Sequence, residues 1–195
     1  GLPVIAMAIS LRVNIVGDKR QDRKIIIHKP DLGKKEIFSL DNLDYTHSRD
    51  YFKSGIKTCM KMGLSFEKGF ECEIKSNIPI QAGTSSSSAI VVSWINFLAQ
   101  LADKNPKWSL EKIGKLAYQT ECVEFGEPGG MMDQYITSCG GILLIKSEPK
   151  VTVEKIDSEL GSFVLGDSGE LKNTLDILDR CKTSRIKVFE KIKAV

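Results

Sequence analysis

The sequence predicts an α+β fold in which an antiparallel or mixed sheet is packed with helices. Three observations predict it. The first forty residues hold short β-favouring runs broken by turn residues. A glycine and serine loop at 83–88 leads without a break into a segment that is apolar around most of its circumference, as a core helix is. Strands and helices then alternate without the regular spacing of a doubly wound parallel sheet, and no internal repeat is present.

Residues 2–9, 11–16, 24–28 and 35–40 are the first expected strands, separated by Gly17-Asp18, Lys29-Pro30-Asp31 and Gly33, and they read as an antiparallel sheet. Ser48 is placed to cap a helix running through Met62, with Phe52, Ile56 and Met60 at i, i+4 and i+8 and Gly63 as its stop. Between 69 and 75, Phe70, Cys72 and Ile74 alternate onto one face, a half-buried strand that delivers the chain to the serine loop.

In that loop Gly83 frees the backbone to approach a ligand closely. Thr84, Ser85, Ser86, Ser87 and Ser88 supply hydroxyls suited to capping a helix start. In the helix that follows, Ser93, Asn96 and Gln100 share one narrow stripe and apolar residues cover the rest, which makes Trp94 a core residue. Its first turn offers free N–H groups and a partial positive charge, an anion site suited to phosphate. A serine run is ordinarily a flexible linker, but a linker continues in polar residues and this one meets Ala89 at once. The loop is not a Walker A sequence, and no GxGxxG occurs.

Ser109 is a good cap for a second helix running to about 124, with Leu110, Ile113, Ala117 and then Thr120 and Glu121 on one side. A carboxylate on the buried side is paired, bound to a metal, or in fact exposed, because an unpaired buried charge is costly. Gly126, Pro128, Gly129 and Gly130 force an irregular loop before a short helix beginning near Met131. Asp133 falls in its first turn, where the dipole favours negative charge. Residues 142–145, 151–156 and 163–165 read as further strands and 171–192 as a final helix.

At 195 residues and 42% hydrophobic, the chain can bury a substantial core. A net charge of +3 with interspersed signs argues against a nucleic-acid partner or a membrane-binding run. The odd set Cys59, Cys72, Cys122, Cys139 and Cys181 forms no CxxC pair, which fits reduced thiols in a cytoplasm and not a zinc site. The apolar opening reads as a strand entered mid-fold and not as a signal peptide. His28 and His47 are isolated and read as structural or exposed, and Trp108 reads as a surface-packing residue ahead of a stacking face for adenine.

Together these parts are a phosphate cradle, hydroxyls able to ligate a hard cation, a helix-borne carboxylate and a carboxylate beside a glycine loop. They suit phosphoryl transfer. Magnesium takes one or two protein oxygens and leaves the rest to water and phosphate, so Ser88 and Glu121 suffice. Asp133 is the natural base or orienting group for an attacking hydroxyl.

The segment PIQAGTSSSSA resembles the phosphate loop of the GHMP small-molecule kinases, and EFGEPGGMMDQYITSCGG resembles the loop bearing the catalytic aspartate in their galactokinase branch. The opening GLPVIAMAI is similar to the strand that follows the first family motif. The resemblance implies the GHMP kinase fold, with residues 1–160 as the N-terminal ATP-binding domain and 161–195 as the start of the next. It implies that Gly83, Thr84, Ser85, Ser86 and Ser87 wrap the phosphates of ATP and that Ser88 (Ser87 if the register slips) and Glu121 hold Mg2+. Asp133 takes the catalytic role, and Gly130 and Asp133 lie against the substrate. Met132-Asp133-Gln134 resembles the sugar kinases more than mevalonate-type members, so the implied substrate is a small sugar phosphorylated at a hydroxyl, the anomeric one being favoured. Pro128-Gly129-Gly130 departs from the Pro-Cys-Gly usual in galactokinases and counts against galactose itself. The first and third family motifs are missing, which implies a fragment inactive by itself; Asp167-Ser168-Gly169 with Lys172 and Thr174 resembles a sugar-kinase segment before the second domain. A non-catalytic sugar or nucleotide sensor and a kinase for a non-sugar alcohol such as mevalonate are the alternatives.

Overall fold

The computed structural model describes residues 3–80, 82–158, 160–166, 183–186 and 188–192. Strands β1 (Val4–Met7), β2 (Val13–Lys19), β3 (Lys24–Lys29) and β4 (Lys34–Ser39) come first. Then follow α1 (Tyr51–Lys61), β5 (Phe70–Ser76), α2 (Ser86–Leu101), α3 (Leu110–Tyr118) and a π-helical turn (Gln119–Val123). Helix α4 (Met132–Cys139) and strands β6 (Ile142–Lys146) and β7 (Thr152–Ile156) complete the order.

Two sheets replace the one expected from the early strands. Strands β2-β5-β3-β4 form one and β1-β6-β7 the other. β5 inserts between β2 and β3, antiparallel to the first and parallel to the second, so the sheet is mixed. The alternation read in β5 is present: Phe70, Cys72 and Ile74 turn inward and, with Ile25 and Ile27 of β3, make the floor under α1 and α2.

Helix α2 crosses this floor. Trp94 is 1% exposed, packs against Phe52, Phe70 and Phe97, and donates its indole N–H to the Phe52 carbonyl at 3.0 Å. Truncating a buried aromatic of this kind costs about 3–5 kcal/mol. A second, smaller core of Tyr135, Ile136, Leu143 and Ile145 joins α4 to the three-stranded sheet.

Helix starts divide between expectation and correction. Ser109 caps α3, accepting from the Lys112 N–H at 3.2 Å. α1 is capped by Asp50 and not by Ser48. Arg49, between them, has φ 61, and a left-handed residue cannot lie inside a right-handed helix. Asp50 is 1% exposed and accepts from the Thr46 N–H at 3.2 Å while pairing with Lys53 Nζ at 3.2 Å.

Residues 163–165 form no strand: Phe163, Val164 and Leu165 are exposed and no sheet edge among the described residues pairs with them. Of the expected final helix, 183–186 and 188–192 are helical. Its earlier part, Cys181 and the Asp167-Ser168-Gly169 segment with Lys172 and Thr174 lie outside the described residues. No helix among the described residues is long and apolar enough to cross a membrane.

Candidate active site

The loop entering α2 turns left twice, at Gly83 (φ 77) and at Ser85 (φ 56). Glycine takes that conformation freely, whereas a residue with a Cβ pays about 1–2 kcal/mol for it. The expected hydroxyl cap is missing. Ser85 occupies the N-cap position with no side-chain cap bond, because left-handed backbone does not set its Oγ over the first-turn amides as extended backbone does. Thr84 donates instead to the Pro79 carbonyl at 3.3 Å. The first-turn N–H groups of α2 are left for an anion, with the helix dipole behind them.

Gly83, Thr84 and Ser85 line a cleft of 610 Å³ bounded by β1 and its connection to β2 on one side and by α2 and α4 on the other. Asp133 lines the same cleft and makes no hydrogen bond or ion pair among the described residues, so its oxygens are uncommitted. Ser93 and Asn96, from the polar stripe of α2, extend the lining. Ser86 and Ser87 are half-buried in the first turn of α2 and do not line the cleft. Gly130 is exposed and outside it; a Cβ there would meet no atom within 4 Å.

Behind this cleft sits a buried polar cluster. α3 loses its regular pitch after Tyr118, and the Glu124 N–H donates five residues back to the Gln119 carbonyl at 3.0 Å. Thr120's carbonyl, deprived of its α-helical donor, accepts instead from Ser54 Oγ of α1 at 2.9 Å. The turn holds Thr120, Glu121 and Cys122 inward, and Glu121 is 5% exposed. Burial pushes the Cys122 thiol up to about 12, an effect to which the neighbouring Glu121 charge adds.

Sequence reasoning passed over the residue that organises the cluster. Gln134 of α4, 2% exposed, donates its amide Nε2 to Glu121 Oε2 at 2.7 Å and to Ser88 Oγ at 3.2 Å. Glutamine is mostly a surface residue, so composition gave no hint; its place beside Asp133 in a short helix was the available signal. α4 can approach this closely because position 114 of α3 is glycine: a Cβ there would stand 2.6 Å from Ser138 Oγ and 3.2 Å from the Gln134 carbonyl.

The cluster fits a hard cation. Glu121 has no ion pair among the described residues, and Gln134 Oε1 and Thr120 Oγ1 are buried there without partners. Each unmatched oxygen of that kind costs about 1–3 kcal/mol. One buried carboxylate, bridged by Gln134 to the Ser88 hydroxyl, suits magnesium, which leaves its other positions to water and phosphate. No group of three His, Cys, Asp or Glu side chains gathers among the described residues, so a cation here would have Glu121 as its one carboxylate and would take its other ligands from neutral oxygens, water and phosphate. Cleft and cluster adjoin through neighbouring residues, Ser88 with Ala89 on α2 and Asp133 with Gln134 on α4.

Residues 50–141 match the family model of the GHMP kinases N terminal domain, a span that contains Gly83 to Ser88, Glu121, Asp133 and Gln134. These residues carry the chain's likeness to the GHMP kinases. The chain is 32% identical over 139 residues to the D-glycero-alpha-D-manno-heptose 7-phosphate kinase of Campylobacter jejuni, covering 71% of its own length and 40% of that protein. It is 25% identical over 216 residues to the mevalonate kinase of Thermococcus sibiricus, covering 100% of its own length and 64% of the other. The Lactococcus lactis galactokinase, solved in complex with galactose, superposes with a TM-score of 0.69 over 80% of this chain and 42% of that one, at 24% identity, a likeness of fold. The chain thus spans less than two thirds of the length of these relatives.

Proposed function

We propose that this chain is the nucleotide-holding N-terminal part of an ATP-dependent sugar kinase of the GHMP family, with a second domain beginning near residue 161. One observation carries the reading: the phosphate-suited start of α2 and the uncommitted carboxylate of Asp133 line one cleft, with the Ser88–Glu121 cluster adjoining both. Gly83, Thr84 and Ser85 hold the ATP phosphates from the wall of the cleft, and Ser86 and Ser87 through the first-turn N–H groups of α2. Ser88 and Glu121 hold Mg2+, which neutralises phosphate charge when bound. Asp133 orients the acceptor hydroxyl and takes its proton as the oxygen bonds to the γ-phosphorus and the bond to the β-phosphate oxygen breaks, releasing ADP. Gly130, ahead of α4, leaves room for the substrate.

A sugar is favoured by Met132-Asp133-Gln134 and by the 32% identity to a heptose 7-phosphate kinase. A non-sugar alcohol is the second reading, because the mevalonate kinase of T. sibiricus aligns over the whole of this chain.

The test is ADP release by the intact protein with Mg-ATP and a panel of galactose, fucose, heptose 7-phosphate and mevalonate. Turnover on one sugar is expected, falling by about 10²–10⁴ in Asp133→Ala with nucleotide binding retained. Turnover on mevalonate alone would move the substrate class. ATP binding without turnover on any acceptor would make the protein a sensor.

A further inference from the structure

We propose that Gln134 is a positioning residue of the cation site, its amide nitrogen holding Ser88 and Glu121 in one arrangement and its carbonyl oxygen left for the hydrated cation. This rests on the magnesium reading of that cluster. The residues bridged come from different elements, Ser88 from α2 and Glu121 from the π-helical turn, and no other side chain joins them among the described residues. A carboxamide nitrogen has two hydrogens, enough for Glu121 Oε2 at 2.7 Å and Ser88 Oγ at 3.2 Å; Cys122 Sγ stands third at 3.7 Å.

The orientation of the amide is set by Glu121. An ionised carboxylate only accepts, so it cannot face the Gln134 carbonyl at this distance, and the NH₂ end must point at it. The Ser88 hydroxyl, engaged as an acceptor, keeps its own proton and a second lone pair. Oε1 is then stranded: Gln134 is 2% exposed and this oxygen has no partner among the described residues. A glutamine kept only for packing would have both ends satisfied. The unmatched acceptor is suited to a water of the cation's hydration shell, since magnesium keeps several of its waters. Gln134 is also the next residue after Asp133, so α4 carries both the acceptor-facing carboxylate and the bridge that fixes the cation ligands.

The experiment uses the intact protein, Mn2+ as the paramagnetic stand-in for magnesium, and the variants Gln134→Met and Gln134→Glu. Cation binding is read by electron paramagnetic resonance and stability by thermal unfolding with and without Mn2+. In Gln134→Met the Mn2+ dissociation constant is expected to rise about tenfold, while binding of a non-hydrolysable ATP analogue in EDTA is unchanged. Gln134→Glu sets a second carboxylate against Glu121, so its melting temperature drops without cation and recovers when Mn2+ is added. Unchanged Mn2+ affinity in Gln134→Met overturns the inference, as does a melting deficit in Gln134→Glu that Mn2+ leaves uncorrected. If Gln134→Met fails to fold, the recovery of Gln134→Glu decides. Wild-type protein that binds no Mn2+ overturns the magnesium reading itself, a result distinct from the other two.

Discussion

Arg49 and Glu127 clamp the start of α1 to the glycine loop that precedes Asp133. The guanidinium meets the carboxylate through two nitrogens, Nε to Oε1 and Nη2 to Oε2, the latter at 2.8 Å. Arg49 does this from left-handed backbone, φ 61, so its surroundings hold it in a conformation it would not choose. Arg49→Ala removes the pair and keeps the strain, whereas Arg49→Gly removes both. In urea unfolding the alanine variant is expected to be less stable than the glycine variant by about 1 kcal/mol. Equal stabilities would show that the backbone at 49 relaxes freely.

Glu121 sets function against stability. It is buried without an ion pair among the described residues and holds one hydrogen bond, from Gln134, so Glu121→Gln removes a buried charge and keeps the shape. Without divalent cation the variant should melt about 2–4 °C higher, the equivalent of roughly 1 kcal/mol in a chain of this size. With magnesium its nucleotide binding should be the weaker. A calorimetric scan and a nucleotide titration, each with and without Mg2+, check both halves; a variant that melts lower without cation would mean that the charge is compensated.

Asp50 makes stability depend on acid pH. Burial alone would raise its carboxyl, but hydrogen bonds from the Thr46 N–H and from Lys53 outweigh it and hold the group below its ordinary value. A group whose folded pKa is depressed contributes stability that is present above its unfolded value, about 3.9, and is lost as pH falls through the folded one. Wild type should therefore lose stability below about pH 4, and Asp50→Asn should show a flatter acid limb. At neutral pH the variant should be less stable by about 3 kcal/mol, because Lys53, 5% exposed, loses its counter-charge. Denaturant titrations from pH 3 to pH 8 give both slopes.

Burial pushes the Cys59, Cys72 and Cys122 thiols up to about 12, so none supplies much thiolate near neutrality. Iodoacetamide at pH 8 should leave all three unlabelled in native protein and label all three in urea. Cys139, only half-buried, should react ahead of them. Peptide mass spectrometry reads each site, and native labelling of Cys122 would show that the cluster around Glu121 opens.

What the sequence disclosed was local in range. The alternation of Phe70, Cys72 and Ile74, the apolar circumference around Trp94 and the Ser109 cap each depend on residues within a few turns, and each is present. The insertion of β5 between β2 and β3 is a pairing of distant segments, and the early runs carry no mark of it. Ser48 and Asp50 are both good caps on composition; buried Lys53 and the left-handed Arg49 between them decide for Asp50. Residues 163–165 have strand-forming side chains, but a strand also requires an edge. Ser88, Glu121 and Asp133 stand out in the sequence by residue type and setting, and their roles are part of the proposal. Gln134 does not stand out, because an amide is singled out only by what lies on either side of it in three dimensions.

The π-helical turn, counted along the chain, is an insertion. A helix that covers the same length with ordinary spacing needs one residue fewer, and each residue advances the winding by about 100°. Deleting a single residue between 119 and 123 would restore regular winding and rotate one flank of the turn against the other, swinging Glu121 out of register with Gln134. This part of the candidate site depends on chain length as well as on side chains, so a one-residue indel would disturb it. An alignment that misplaces one gap here pairs Glu121 with the wrong residue of a relative.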